Sequence, residues 1–405
     1  MFKKNQHTQA STGTRLPEFS FIADDEVYID TACQSLRPLP VQQALQKYYT
    51  DYNACGGRVK YAWGQKVDGL VEQTRESVLK LLQLSKKDYS VSFTTNTTYG
   101  INLLLQQLPA GTYKKIITSD IEHNSVFLST ITAAKKLGIP RRVIDRDNDG
   151  TLPYKKADLV GAVVVVNAVS NIDGRKLKNI ADLVKDTHDQ GGIVIIDAAQ
   201  TMAHSYDMLQ NCGADAICFS AHKMYAPSLG VIVARKKLIA QLDISFVGGG
   251  MVHAVTKDDY QLLPDDLSSR FEPGLQAFGE IIGLGAAIDW LQSVKPFGKS
   301  PKQYMQELSQ QLYDGLSQVA GVTVINYEPS PVITIHTTTY DAHRLAIFLS
   351  GANIMARSGT FCCHYYLLEK QRLPPLLRFS LGLHNTPQDV QKVITTIQKL
   401  IVKGA

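Results

Sequence analysis

No run in these 405 residues approaches the roughly eighteen apolar positions that a membrane-crossing helix needs, so no membrane association is expected. The chain also has no dense Lys/Arg block. Its net charge of +5 is spread along the sequence, which gives no reason to expect a nucleic-acid partner. Cysteines number six, at Cys33, Cys55, Cys212, Cys218, Cys362 and Cys363. Their spacing suits neither a zinc site nor the disulfide framework of a small secreted domain, so no metal is expected. Reduced thiols in a cytoplasmic protein are the natural reading. Residues 1–17 lack the apolar core of a secretory signal. With Lys3, Lys4 and Arg15 and no acid before Glu18 they faintly resemble a transit peptide, and they read more simply as a frayed tail. There is no internal repeat and no low-complexity tract. Charged residues make up only 20%, against what a disordered chain requires.

What is present is a 44% hydrophobic composition, enough for a large core and for one large unit plus a smaller one. Apolar runs at 91–94, 116–119, 163–166, 193–196 and 216–219 alternate with helical patterns, such as Ile180, Leu183 and Val184 on one face. That alternation argues for βαβ units and a mainly parallel sheet flanked by helices, an α/β fold. Helices are expected over about 40–52, 67–82, 125–137, 281–291, 305–316, 342–349 and 387–401, with short strands at 322–325 and 332–335 and an irregular stretch at 356–378. The large unit is expected over 20–290. Residues 1–19 and 291–405 form a smaller α+β unit.

The polar residues that close these strands are the chemical signal. Asp197 follows four apolar residues directly, Ser220-Ala221-His222-Lys223 follows Phe219, and His123 and Asn171 follow strands of their own. In an open α/β sheet this edge is where ligands bind. A lone lysine there is ordinarily a surface residue. In this company it reads differently: a desolvated lysine loses its proton more easily and serves as nucleophile or base.

Several segments match a known pattern. Phe219-Ser220-Ala221-His222-Lys223-Met224-Tyr225 resembles a cofactor-lysine motif, Asp197-Ala198-Ala199-Gln200 an Asp-x-x-Gln motif, and Asn96-Thr97-Thr98-Tyr99-Gly100-Ile101-Asn102 a phosphate turn. Ala168-Val169-Ser170-Asn171 resembles a His-Val-Ser-Asn segment. Arg270-Phe271-Glu272-Pro273-Gly274 and Gly283-Leu284-Gly285-Ala286-Ala287 complete the series. Each is weak alone. In this order, over nearly the whole chain, they resemble the fold-type I, class V pyridoxal 5'-phosphate (PLP) enzymes, and within them the cysteine desulfurase and selenocysteine lyase group.

The resemblance implies roles. Lys223 would hold the PLP cofactor and shuttle the substrate Cα proton. Asp197 would pair with the pyridine nitrogen, His123 would stack on the ring, and Gln200 would bond the phenolic oxygen. Thr97, Thr98, Ser220 and His222 would bind the phosphate, with Asn171 near the phenolic oxygen and the substrate carboxylate. Arg357-Ser358-Gly359-Thr360-Phe361-Cys362-Cys363-His364 resembles the desulfurase Arg-Thr-Gly-x-x-Cys pattern of the group II branch, whose cysteine loop is short. It would make Cys362 the nucleophile. Arg378 would clamp the substrate carboxylate, and Arg357 would help. Cys363 is a second candidate for carrying sulfur. The implied activity turns L-cysteine into L-alanine and passes sulfur to an acceptor protein, as in iron–sulfur cluster assembly, from a homodimer. The alternative is another class V reaction (aminotransferase, epimerase or kynureninase-like) that leaves the cysteine unused.

Some positions depart from the pattern. The loop Ala226-Pro227-Ser228-Leu229-Gly230 is one residue short, and Leu275 replaces a threonine that reaches the neighbouring subunit's phosphate. Asn124 and Ala168 stand where desulfurases carry histidines, and Thr360-Phe361 replaces a polar or histidine pair.

Overall fold

The alternating apolar runs build a seven-stranded sheet in the computed structural model, which describes residues 15–57 and 59–404. The reading of the N-terminal tail falls, up to residue 14, outside them. In chain order the strands are β1 (Tyr89–Thr94), β2 (Lys115–Ser119), β3 (Arg141–Ile144), β4 (Ala162–Asn167), β5 (Ile193–Asp197), β6 (Ala216–Ser220) and β7 (Gly230–Arg235). Across the sheet the order is β1-β7-β6-β5-β4-β2-β3. β7 is antiparallel to both neighbours and every other adjacent pair is parallel, so six strands share one direction.

Every residue of β4, β5 and β6 is buried, as continuous Val and Ile runs demand when helices cover both faces. The two faces separate strictly by alternation. Val164, Val166, Val194, Ile196, Ile217 and Phe219 enter one core, with Ile281, Leu284 and Ile288 of the helix Phe278–Ser293. Val163, Val165, Ile193, Ile195, Ala216 and Cys218 enter the other. There they meet Ile101, Leu104 and Leu105 of α1 (Thr97–Gln106) and Val126 and Ala133 of α2 (Asn124–Leu137). Each buried Val, Leu, Ile or Phe side chain among them stabilises the fold by about 1.5–3 kcal/mol.

The C-terminal stretch adds a four-stranded antiparallel sheet, ordered β8 (Val322–Val324), β9 (Val332–Thr337), β11 (Leu376–Ser380) and β10 (Arg357–Gly359). The stretch at 356–378, expected to be irregular, therefore contains two strands. They are too short for a periodic signal, and Arg357, Gly359 and Arg378 mask the pattern. The N-terminal segment reaches the same region: Val27–Tyr28 pairs in parallel with Ile354–Met355, and Asp30 bridges to Ser380. Among the described residues no helix is long and apolar enough to cross a membrane.

Candidate active site

The lysine turn is built first. β6 ends at Ser220, one helical turn spans Ala221–Lys223, and Tyr225 takes a left-handed φ of 68°. Ser35 fastens this turn from the far end of the sequence. Its hydroxyl and its backbone N–H both donate to the His222 carbonyl at 2.9 Å, and its oxygen accepts from the Tyr225 N–H at 2.6 Å. Lys223 thus leaves a braced backbone. Burial holds its ammonium below the ordinary lysine range; Asp197 opposes this and Arg378 adds to it. Burial and the Lys223 and Arg37 charges likewise bring His222 down to about 4.

Asp197 closes β5 and is buried. It accepts from the Ala199 N–H at 2.9 Å and from the Ser125 hydroxyl at 3.2 Å. Burial raises its carboxyl despite these donors and Lys223. His123 follows β2 and caps the N-terminus of α2: the Ser125 N–H donates to its Nδ1 at 3.1 Å, and the Ser125 hydroxyl lies 2.8 Å away. Burial, then the Lys223 and Arg378 charges, brings His123 down to about 3, so the ring is neutral.

A third corner is the start of α1. Asn96 caps it, its side chain accepting from the Tyr99 N–H at 2.9 Å. The Thr97 N–H donates to the Ser220 oxygen at 2.9 Å, and the two hydroxyls lie 2.6 Å apart. Gly230 permits this junction, since a Cβ there would stand 2.5 Å from the Asn96 nitrogen. A helix N-terminus ringed by hydroxyls is suited to a phosphate.

The fourth side is the cysteine loop. Asn171 donates to the Phe361 carbonyl at 2.8 Å and accepts from the Cys363 thiol at 3.0 Å. Cys363 is buried, which pushes its thiol up; Cys362 beside it is exposed. Arg378 is buried over the Phe361 ring, 4.6 Å from its centroid, and donates to the Asn171 carbonyl at 3.0 Å. Arg357 and Arg378 both reach Asp30, at 2.9 and 3.2 Å.

The structure gathers Thr97, Thr98, His123, Asn171, Asp197, Gln200, Ser220, His222 and Lys223 around one cavity of about 250 Å³. Gln200 spends one amide hydrogen on the Ala32 carbonyl, at 2.8 Å. Arg357, Arg378 and Cys362 stand outside the cavity lining, and Arg378 adjoins it through Asn171. The sequence did not single out Ser125, Ser35 or Asp30. Ser125, two positions after His123 at a helix start, is the one a motif reading had within reach.

The family profile described as "Aminotransferase class-V" matches residues 27–393. A protein of Haemophilus influenzae named "Probable cysteine desulfurase" is 30% identical over 390 residues, covering 93% of this chain and 86% of that protein. A "Cysteine desulfurase" of Klebsiella pneumoniae is 28% identical over 386 residues, covering 92% and 93%. Among solved structures, the apo cysteine desulfurase of Thermococcus onnurineus NA1 superposes with a TM-score of 0.85 at 26% identity, over 94% of this chain and 96% of that one. A cysteine desulfurase of Escherichia coli, at 23% identity, gives the same TM-score and speaks for the fold alone.

Proposed function

Because the chain belongs to the class-V aminotransferase family, we propose that it is a PLP-dependent cysteine desulfurase, releasing L-alanine from L-cysteine and leaving sulfur on Cys362. One observation carries this: an amine, a buried carboxylate, a neutral imidazole and a hydroxyl-ringed helix N-terminus line a single cavity. This donor set fits the cofactor. Lys223 has the lowered basicity that covalent attachment asks for. Asp197 offers an anion to a pyridine nitrogen, the neutral His123 ring a face to stack on, and Thr97, Thr98, Ser220 and His222 a phosphate seat. When bound, the cofactor supplies the electron sink that lets an amino acid lose its Cα proton.

The chain's own groups do the rest. Lys223, its basicity lowered by burial, takes and returns the substrate proton. Asn171 and Arg378 orient the carboxylate, with Arg357 beside them. The Cys362 sulfur bonds to the substrate sulfur as the Cβ–S bond breaks, and the carbon fragment takes up a proton to leave as alanine. The exposed Cys362 then presents its persulfide to an acceptor; a cytoplasmic role in sulfur supply, such as iron–sulfur cluster assembly, is part of the proposal. A second reading, another class V reaction, draws on the fact that neither Cys362 nor Cys363 lines the cavity.

A homodimer is part of the proposal. Phe246, Val255, Tyr260 and Leu275 expose apolar surface, Leu275 by 77%, and Leu275 borders a groove of about 740 Å³. The proposal also keeps 20–290 as the cofactor-holding unit and 291–405 with the tail as the smaller one. The pairing of Val27–Tyr28 with Ile354–Met355 argues for moving that strand to the smaller unit. The test is optical and chemical. The purified protein should absorb as a PLP enzyme, and borohydride should bleach and fix the cofactor only when Lys223 is present. A colourless protein that takes up no PLP contradicts the proposal.

A further inference from the structure

Asp30 lies outside the cavity lining, yet its one carboxylate joins both arginines assigned to the substrate carboxylate. Oδ2 accepts from Arg357 Nε at 2.9 Å and Oδ1 from Arg378 Nη2 at 3.2 Å. Arg378 is buried, its side chain 3% exposed, whereas Arg357 is 46% exposed. Arg378 commits Nη1 to the Asn171 carbonyl, and its buried Nε–H has no partner among the described residues. A guanidinium N–H left bare inside a protein is uncommon and marks a place for an acceptor.

The charges then decide what that acceptor is. Two guanidiniums face one carboxylate, so the cluster carries one uncompensated positive charge. One more anionic group balances it; two leave an excess negative charge. The position of Asp30 does not depend on its carboxylate. Its carbonyl accepts from the Cys33 and Gln34 N–H groups at 3.1 and 3.2 Å, and its backbone bridges to Ser380.

We propose that Asp30 is a specificity-determining residue: by occupying Arg357 it restricts this end of the site to substrates with a single carboxylate and turns away amino acids with acidic side chains. This deepens the amino-acid-lyase reading above and rests on it. Asp30 acts through the two arginines and is a positioning residue, not a catalytic one.

The experiment measures equilibrium binding of propionate and succinate, a monocarboxylate and a dicarboxylate, to the PLP-loaded protein. In Asp30→Asn the preference for succinate over propionate should rise about tenfold relative to wild type, the worth of one charge-assisted hydrogen bond. Removing Arg357 as well, in Asp30→Asn/Arg357→Ala, should abolish the rise. Arg357→Ala alone leaves Asp30 to offset Arg378 fully and should weaken propionate about tenfold, which keeps the test alive if Asp30→Asn does not fold. An unchanged preference in Asp30→Asn, a rise that survives loss of Arg357, or wild-type propionate binding in Arg357→Ala overturns the assignment. Alanine release from cysteine is followed in parallel. A wild type with the expected binding pattern but no alanine overturns the reaction and leaves the role of Asp30 standing.

Discussion

The Cys363 thiol donates to the Asn171 side chain at 3.0 Å, and this contact fixes which of two adjacent cysteines faces solvent. The other end of the Asn171 amide holds the Phe361 carbonyl, while the Asn124 N–H holds the Cys362 carbonyl at 2.7 Å. Between these anchors Phe361 and Cys362 adopt left-handed φ values of 51° and 58°. Such a conformation costs about 1–3 kcal/mol per non-glycine residue. The neighbouring contacts hold it, and it turns Cys362 outward.

The two cysteines should therefore separate on mutation. Cys362→Ala is expected to lower desulfuration at least about a hundredfold, as loss of a nucleophile does elsewhere. Cys363→Ala should keep most of the activity and lose about 1 kcal/mol of stability with its hydrogen bond. Alanine release and denaturant midpoints read the two effects, and equal losses of activity would count against the assignment. Activity that survives in the double variant selects the second reading.

Ser125 joins His123 to Asp197 through one hydroxyl, at 2.8 and 3.2 Å. Ser125→Ala removes a donor from a buried carboxylate while leaving the cap of α2, which uses the backbone N–H. The expected loss is about 1.5–3 kcal/mol, or roughly tenfold to a hundredfold in kcat, with little change in melting temperature. A variant with wild-type kcat would show that the hydroxyl does not hold Asp197.

Beneath the cavity Glu122 is buried against Arg146, at 3.4 Å, and accepts from the Asn167 N–H and side-chain amide at 2.8 and 2.9 Å. Burial lifts its carboxyl to about 7, with Arg146 opposing. Arg146→Met should cost about 3–5 kcal/mol, because it leaves an unpaired acid inside the protein. Adding Glu122→Gln should recover part of that loss in urea unfolding. No recovery would place the cost elsewhere.

His384 is fully buried and donates from Nε2 to the Tyr28 carbonyl at 2.8 Å. Burial brings its pKa from 6.5 down to about 4. The unfolded chain takes the proton first as pH falls. The stability tied to the neutral ring is therefore full above pH 6.5 and disappears as pH drops through 4, about 3 kcal/mol in all. Unfolding free energies from pH 7 to 4 should fall less steeply in His384→Gln than in wild type. Equal slopes would rule His384 out as a source of acid sensitivity.

Much of this was legible in the sequence because strand ends and ligand edge coincide. Ile193–Asp197 and Ala216–Ser220 are wholly apolar until the residue that enters the cavity, so pattern and chemistry sit side by side. What escaped depends on distant partners. Ser125 meets Asp197 across 72 positions and Asp30 meets Arg357 across 327, and neither separation leaves a local trace. Gly230–Arg235 was not read as a strand, since the loop before it masked the change of direction. Its reversal between β1 and β6 is a property of the assembled sheet.

The central claim is that sulfur leaves cysteine and arrives on Cys362. The direct measurement treats the PLP-loaded protein with L-cysteine, quantifies alanine, and maps the added sulfur by mass spectrometry of the peptide containing Cys362 and Cys363. The account predicts one alanine per sulfur transferred and one extra sulfur atom on Cys362, released by a thiol reductant. Absence of alanine, or alanine formed with no sulfur on either cysteine, would contradict it.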